Sequence, residues 1–580
     1  MSLYKFFSGS VISNKKKNLF IQTLISIIFI VSEYYYFCKT IKINMKKYQL
    51  ILLSVLSGLL FTFAWPADGF PGFLFVAFIP LFFVEDYIYK NKSKFTKFSV
   101  FFYSFPGFFV FNLLTSWWIV NSTPFGSFAW FLNGFLMSLV FNLFHFTKRN
   151  LFKPKQAYYI LIFYWISFEL FHLNWELSWP WMNLGNGFAS YTAWVQWYEY
   201  TGVFGGTLWI ILVNILFYKL IILIKEKTKN KKTILKQSVI AASVLFFPIL
   251  ISLIIYHNYN EEKEDAVNVV VVQPNFDPYT EQYQLPPSEM IEKILNLANT
   301  KLDVNTDYII TPESADQENI WEGTIEKFPT IKQIREFNSK HPQISIIVGA
   351  STFKKKPKED PITNAARKFR KVEKYYYAHN TAMYFDTSDI IQLHHKSKLT
   401  AGVEMMPSWS FLRPLEKLAL NLGGTVGTLK KDDEMIPFIS EDSTSIATII
   451  CYESVYGEFV TEFVKNGAEL IFLITNDGWW GNTPGHKQHF LYSKLRAIET
   501  RRSIARSANT GISCFINQRG DVFQKTEYWK PTVIKQSINK NNEFTFYVNY
   551  GDYIGRISVF IAVLFFLITV LLAILNRKKL

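Results

Sequence analysis

Cysteine is scarce: three residues in 580, at positions 38, 451 and 514, which excludes a disulfide-stapled scaffold. Cys38 stands in a separate N-terminal segment, so Cys514 is the one candidate partner for Cys451. Charge is thin as well, at 18% of residues against 49% hydrophobic and 18% aromatic. What charge there is lies unevenly, and residues 66–70, 121–126 and 174–205 contain no Lys or Arg. The net charge of +15 therefore does not describe a nucleic-acid-binding face. Many of the lysines crowd into short loops between apolar runs, a membrane-orientation pattern. Metal-ligand spacing is lacking too. His394, His395, His486 and His489 have no Cys or carboxylate companions at zinc-site spacing, and neither a metal nor another cofactor is expected.

The apolar residues concentrate before residue 257 and after residue 556. Eight segments are candidates to span a bilayer, at 49–65, 71–86, 99–120, 127–146, 157–173, 206–224, 238–256 and 557–576. Lysine and arginine alternate between the loops. Lys90, Lys92, Lys94 and Lys97 follow the second segment, Lys148, Arg149, Lys153 and Lys155 the fourth, and six lysines fill 225–237. Basic loops stay in the cytoplasm, which predicts both ends cytoplasmic and residues 257–556 outside. Ionisable residues are few in these segments; Glu169 and Glu199 stand near boundaries.

The first 48 residues are expected not to span. The apolar run from Leu19 to Val31 has thirteen residues, with Lys15, Lys16 and Lys17 before it and Lys39, Lys42, Lys46 and Lys47 after it. Spanning would put the second cluster outside and invert every later loop. The run either lies on the membrane surface or precedes a true start at Met45. A removable signal peptide is disfavoured because a small-residue cleavage site is lacking. Residues 49–256 form a seven-helix membrane domain, 257–556 an extracytoplasmic domain, 557–576 an eighth span and 577–580 a basic tail. Trp and Tyr crowd into 174–205, either as an interfacial belt or as a lipid-facing rim beneath the outer domain.

Within 257–556 the pattern is that of an α/β protein. Strands are predicted at 267–272, 307–311, 344–349, 446–450, 470–474 and 511–516, a hairpin at 380–386 and 389–393, and helices at 288–302 and 486–506. Residues 353–374 and 409–440 have weak periodicity and are predicted to be long loops. Three strand ends carry chemistry. Ile446–Ile450 runs into Cys451-Tyr452-Glu453, placing a thiol at the tip of a rigid element. Tyr308-Ile-Ile-Thr-Pro ends in Glu313, and Asp389–Leu393 leads through His394 and His395 to Lys396. Each residue alone has an ordinary explanation: a buried small hydrophobe, a solvated carboxylate, a surface lysine. Their matching positions and shared domain set them apart.

Glu313, Lys396 and Cys451, in that order, resemble the nitrilase (carbon–nitrogen hydrolase) superfamily, and from about Lys46 onward the chain resembles its membrane branch, the apolipoprotein N-acyltransferases. The resemblance also rests on Val271-Val-Gln-Pro-Asn275, Lys396-Ser-Lys-Leu399 with Glu404, Thr475-Asn-Asp-Gly-Trp-Trp-Gly481, Gln488-His-Phe490, Arg496-Ala-Ile-Glu499 and Pro180-Trp-Met-Asn-Leu-Gly185. In the lysine loop, Thr400–Val403 departs from the usual Val-Pro-Phe-Gly. The fold implied is a polytopic helical membrane domain plus an αββα sandwich. The site implied is a Glu313–Lys396–Cys451 triad supported by Glu404, Tyr452 and Glu453, with Trp181, Asn476, Trp479 and Trp480 at the substrates. Glu404 is implied to hold Lys396, with a loop-stabilising ion pair as the plainer role; for Glu453 the plainer role is that of a first-turn helix residue.

The activity implied is transfer of a fatty acyl chain from a membrane phospholipid, through a Cys451 thioester, to the N-terminal amine of a diacylated lipoprotein. The location implied is a bacterial inner membrane, and the chain is expected to be monomeric, with membrane lipids as its other partners. A membrane-anchored amidase would use the same triad and give the acyl group to water. A transporter or binding protein with an inert outer domain is the rival of another class, and it would want ionisable residues inside the spans.

Overall fold

The computed structural model describes residues 45–122, 126–151, 156–225, 230–261, 265–405 and 428–577. The non-spanning extension falls almost wholly on residues 1–44, outside the described residues, as do Cys38 and positions 578–580 of the basic tail. Among the described residues, seven helices are long and apolar enough to cross a membrane: Lys47–Ala64, Pro71–Lys90, Ser99–Asn121, Gly126–Asn150, Tyr198–Lys225, Lys231–Asn258 and Tyr553–Leu575. The remaining expected segment is a shorter apolar stretch, Ala157–Leu173. It packs against the C-terminal helix.

Small residues let the first helices approach closely. A Cβ on Gly58 would stand 2.2 Å from the Gly107 carbonyl oxygen. Pro106 interrupts the helix Ser99–Ser116, and the neighbouring Gly107 N–H donates to Ser54 Oγ at 2.9 Å. Side-chain partners of this kind satisfy broken helices where water is absent.

Ionisable groups are more deeply placed in this half than the sequence suggested. Glu169 is buried, accepting from Leu184 N at 2.8 Å, Thr207 Oγ1 at 2.7 Å and Trp165 Nε1 at 3.2 Å. It holds the short turns Pro180–Met182 and Leu184–Phe188 against the helices. Glu85, His145 and Lys148 form a second buried cluster, with His145 Nδ1 2.7 Å from Glu85. Both are paired, which is what makes such groups tolerable in an apolar bundle.

The α/β domain is a two-sheet sandwich. One sheet runs in the order Thr532–Asn539, Ala266–Gln273, Tyr308–Ile310, Ser345–Lys355, Tyr375–Phe385, Arg367–Lys368, with Asp316–Trp321 and Gln392–His395 paired alongside. The other runs Val522–Phe523, Cys514–Ile516, Ile504–Ala508, Leu470–Thr475, Ser445–Ile450, Phe438–Ile439. Continuous β-branched runs such as Val269–Val272 suit strands covered on both faces. Val269, Val271 and Ile347 of one sheet meet Ile446, Phe472 and Ile474 of the other. Helices Pro287–Asn299 and Pro329–Lys340 cover the first sheet through Ile291, Ile294, Ile331 and Ile334.

Helices Gly457–Lys465 and Pro484–Thr500 cover the second sheet, and their apolar core continues without a break into the membrane half. Trp65 Nε1 donates to Tyr492 Oη at 3.0 Å, and Arg501 pairs with Glu199 at 2.8 Å across the same junction.

Several elements differ from expectation. The predicted helix 486–506 stops at Thr500, where Arg501 turns left-handed at φ 50°, and the strand Ile504–Ala508 follows. Arg506 disguised that strand; its guanidinium is fully buried against Asp477 at 2.7 Å. The expected strand 511–516 is the shorter Cys514–Ile516. The predicted loop 353–374 begins inside the strand Ser345–Lys355 and contains Arg367–Lys368. Residues 406–427 of the second loop lie outside the described residues, and the part that follows contains Phe438–Ile439. Cys451 and Cys514 are both free thiols.

Candidate active site

Strand geometry brings the three predicted residues to one end of the sandwich. Tyr308–Ile310 runs parallel to Ser345–Lys355, while Gln392–His395 reaches the same direction through two antiparallel pairings. Glu313, Lys396 and Cys451 each follow the C-terminal end of their strand. The loop bearing Glu313 presses on the sheet: a Cβ at Gly349 would stand 2.4 Å from the Pro312 carbonyl oxygen and 2.7 Å from Glu313 Cα. Only glycine leaves room for that approach.

Cys451 sits at the sharp turn between Ser445–Ile450 and the short turn Cys451–Val455, in a left-handed conformation at φ 50°. Such conformations cost a non-glycine residue energy and cluster at functional sites. Glu313 and Lys396 are nearly buried. Lys396 Nζ donates to Glu313 Oε1 at 3.0 Å and to Glu404 Oε1 at 2.8 Å. The other Glu313 oxygen accepts the Asn476 backbone N–H at 2.9 Å.

Electrostatics divide the roles. Burial alone would lower Lys396, but the Glu313 and Glu404 carboxylates hold it well above the usual lysine range, so it is a permanent cation. Burial would raise Glu404, and Lys396 keeps it below the usual carboxylate range. Burial pushes the Cys451 thiol well up, the Glu313 carboxylate adds to this, and Lys396 opposes both. The resting sulfur is therefore a thiol, with the Glu313 carboxyl group close enough to act on it electrostatically.

The supporting residues are brought to the same place. Glu404 is held by Thr400 N at 2.8 Å, within a turn closed by Gly402 at φ 80°, so the altered loop 400–403 still seats this carboxylate on Lys396. Glu453 is fully buried. It accepts from Ser397 N at 2.6 Å and Ile450 N at 2.8 Å, which ties the lysine loop to the cysteine strand while also capping its own turn. Tyr452 donates to the Ser178 carbonyl at 3.1 Å and stacks near Trp179, joining the elbow to the membrane half.

The aromatic residues divide. Trp181 is fully buried, donating to Gln488 Oε1 at 2.8 Å and stacked on Trp179 at 5.5 Å, so it braces the junction between the halves and lines the cavity beside Cys451. Trp480 packs on Trp118 at 5.0 Å. Trp479 lies apart, against Tyr279 at 5.3 Å. Asn476 also donates to Gln282 Oε1 at 2.7 Å.

Two features were not anticipated. Asn380 Nδ2 donates to Glu313 Oε1 at 2.7 Å and Glu404 Oε1 at 3.1 Å, bridging the two carboxylates on either side of Lys396. Its one signal in the sequence is an amide inside a strand, where Asn is uncommon. His489 Nδ1 lies 2.8 Å from Asp477 Oδ1, while its Nε2 lies 3.1 Å from the Cys451 carbonyl and 3.0 Å from Ser454 Oγ. Cys451, Asp477 and His489 lie close enough to hold a metal ion, but both imidazole nitrogens and both Asp477 oxygens already have protein partners. This group braces the elbow.

The other side of Cys451 opens into an apolar cavity. Its walls come from Trp118, Ile119, Phe128 and Leu132 of the membrane half and from Val403 and Trp480 of the α/β domain.

An αββα sandwich with a Glu–Lys–Cys constellation at one end, Glu313 and Lys396 from one sheet and Cys451 from the other rather than from a single sheet edge, defines the carbon–nitrogen hydrolase class, and that family's sequence pattern matches residues 259–542. A second pattern, the apolipoprotein N-acyltransferase N-terminal domain, matches residues 57–216, and the two together take up more than half of the chain. Full-length relatives agree. Apolipoprotein N-acyltransferase of Chlorobaculum tepidum is 28% identical over 531 residues, 88% of this chain and 94% of its own. Those of Thermotoga maritima and Haemophilus influenzae are 25% and 26% identical, covering 88% and 92% of this chain and 92% and 97% of theirs. The chain belongs to the apolipoprotein N-acyltransferase family and is a membrane protein.

Proposed function

We propose that this protein transfers a fatty acyl chain from a membrane phospholipid to the N-terminal amine of the diacylglyceryl-cysteine of a lipoprotein, through a thioester on Cys451. The observation that carries the reading is the position of the sulfur. It stands between a polar triad from the outer domain and an apolar cavity walled by the membrane half. A hydrolase of small water-soluble amides has no use for such walls.

In the first half-reaction, Cys451 Sγ attacks the ester carbonyl while Glu313 takes the thiol proton. The oxyanion of the tetrahedral intermediate is held by the Lys396 ammonium and by the Tyr452 N–H at the elbow. Collapse breaks the C–O bond, and the departing lysophospholipid alkoxide takes the proton from Glu313. In the second half-reaction the acceptor amine attacks the thioester carbonyl and gives its proton to Glu313. Collapse breaks the C–S bond and the sulfur regains that proton. Glu404 and Asn380 keep Lys396 and Glu313 in register through both steps, and Glu453 holds the lysine loop against the elbow.

The lysine pattern of the loops supports a placement in a bacterial inner membrane, with the termini in the cytoplasm and the catalytic domain in the periplasm. Trp181 and Trp480 act as walls of the acyl site, Asn476 as an anchor for Glu313, and Trp479 as a contact for the larger substrate. One chain holds the whole triad and its cavity, which supports a monomer.

The test is intact mass spectrometry of the purified protein after incubation with phospholipid, beside Cys451→Ala. A hydroxylamine-sensitive acyl adduct is expected on the wild type alone, discharged by a diacylated lipopeptide. Discharge by water at the same rate would make the protein a hydrolase. An adduct that persists in Cys451→Ala would remove the nucleophile from the reading.

A further inference from the structure

The strands Tyr375–Phe385 and Gln392–His395 have two working faces. One carries Asn380 and Lys396 to the triad. On the other, Glu322, His379 and His395 each offer a ligand atom, all within 4.8 Å of one another. His395 Nε2 lies 2.8 Å from Glu322 Oε1, and His395 Nδ1 lies 2.9 Å from Asp432 Oδ2. The His379 ring stacks on that of His395 at 3.9 Å. His379 is 3% exposed, and neither of its nitrogens has a hydrogen-bond partner among the described residues. A buried imidazole left without partners on both nitrogens is costly, and it asks for something to bind.

We propose that Glu322, His379 and His395 bind a divalent first-row transition ion, zinc in the first instance, behind the strands that carry Asn380 and Lys396. The donor set is two imidazoles and a carboxylate, with water as the fourth ligand, which suits zinc. Asp432 completes the arrangement. It accepts the Nδ1–H of His395 and so aims the Nε2 lone pair at the site, as carboxylates do for zinc-bound histidines. The ion replaces the proton now shared by His395 Nε2 and Glu322 Oε1, and that proton leaves to solvent.

Metal bonds of about 2.1 Å bring tetrahedral ligands to about 3.4 Å of one another. His379, with no hydrogen bond to break among the described residues, is the ligand free to close that gap. Thr352 Oγ1 donates to Glu322 Oε1 at 3.0 Å and keeps the carboxylate in place, while Lys354 Nζ stands 3.8 Å from its other oxygen. The ion would cross-link the strand pair and the Asp316–Trp321 edge from the face opposite the reaction. The ion lies on the face away from the triad and takes no part in acyl transfer, and the site stands whether or not the acyltransfer reading does.

The experiment uses the full-length protein in detergent, stripped with a chelator and titrated with zinc chloride under equilibrium dialysis with metal analysis. One zinc per chain is expected. His379→Ala and Glu322→Gln are each expected to weaken binding by about 100-fold or more, since loss of an outer partner alone costs about 10- to 100-fold. Zinc should raise the thermal midpoint of the wild type and leave that of His379→Ala unmoved. Cobalt(II) in place of zinc should give the absorption of a four-coordinate ion in the wild type and in Cys451→Ala. Absence of stoichiometric zinc would overturn the proposal. So would binding lost in Cys451→Ala but kept in folded His379→Ala, which would place the ion at Cys451, Asp477 and His489.

Discussion

The two sides of the Cys451 sulfur are built differently. On one side, Glu313, Lys396, Glu404 and Asn380 come from a single domain and are held by hydrogen bonds of 2.7–3.1 Å. On the other, most of the cavity walls come from the membrane half, hundreds of residues away in sequence, and meet Val403 and Trp480 through apolar contacts such as Trp118 on Trp480. Bond making needs groups fixed to within fractions of an ångström, which hydrogen bonds between rigid strand ends provide. Holding an acyl chain needs only apolar volume of the right shape, which many side chains supply.

That contrast predicts unequal losses. Lys396→Met removes the cation from the oxyanion and leaves two buried carboxylates facing each other. Acyl-enzyme formation should fall by about 1000-fold for every donor, long-chain phospholipid or short soluble ester, measured as the rate of adduct growth. An equal loss confined to phospholipid would mean that Lys396 serves binding and not chemistry.

Asn380→Ala leaves the triad but removes its bridge. A loss of about 100-fold at most is expected in kcat, corresponding to hydrogen bonds to buried charges, with KM nearly unchanged. A loss in KM alone would assign Asn380 to substrate contact.

The cavity should respond in the opposite manner. Phe128→Ala enlarges the wall, and the preference between donor chain lengths should shift by about 10-fold, while a short-chain ester reacts as before within about 3-fold. Competition between phospholipids of two chain lengths, read by product mass, makes the measurement. An unchanged ratio would remove the cavity as the acyl site.

The smallest effect concerns pH. The Cys451 thiol is raised above the usual cysteine range, so its thiolate fraction at neutral pH lies below the few per cent of a free cysteine. Alkylation by iodoacetamide should therefore be slow at pH 7 and still be rising at pH 9 without a plateau. Lys396 opposes the upward shift, so Lys396→Met should slow alkylation further at every pH. A plateau near pH 7 would reverse the assignment of Glu313 as the base that acts on demand.

The chemistry of this site was legible because it is written locally. Each triad residue ends its own strand, and the strand runs are marked by β-branched residues that report burial on both faces. Glu404 was legible through the family resemblance of the lysine loop, in which it keeps its place although the turn before it changed. Asn380 was not, because an isolated amide within Tyr375–Phe385 carries no spacing to any partner. The strand Ile504–Ala508 was hidden by Arg506, whose buried charge is acceptable only because Asp477 meets it. Zinc-type spacing is a pattern along one stretch of chain, whereas Glu322, His379 and His395 come from three separate segments.

The amino-acid sequence by itself determined the division into apolar helices and an α/β domain, and the order of Glu313, Lys396 and Cys451. Periodicity and composition act over a few residues, and each element can satisfy them alone. The tertiary structure decided which faces meet. It seated Trp181 at the junction of the halves, buried Glu169 and Glu85 among partners, and closed the cavity over Cys451 from the membrane side. Those outcomes depend on contacts between distant segments, where packing and the pairing of buried polar groups outweigh local preference.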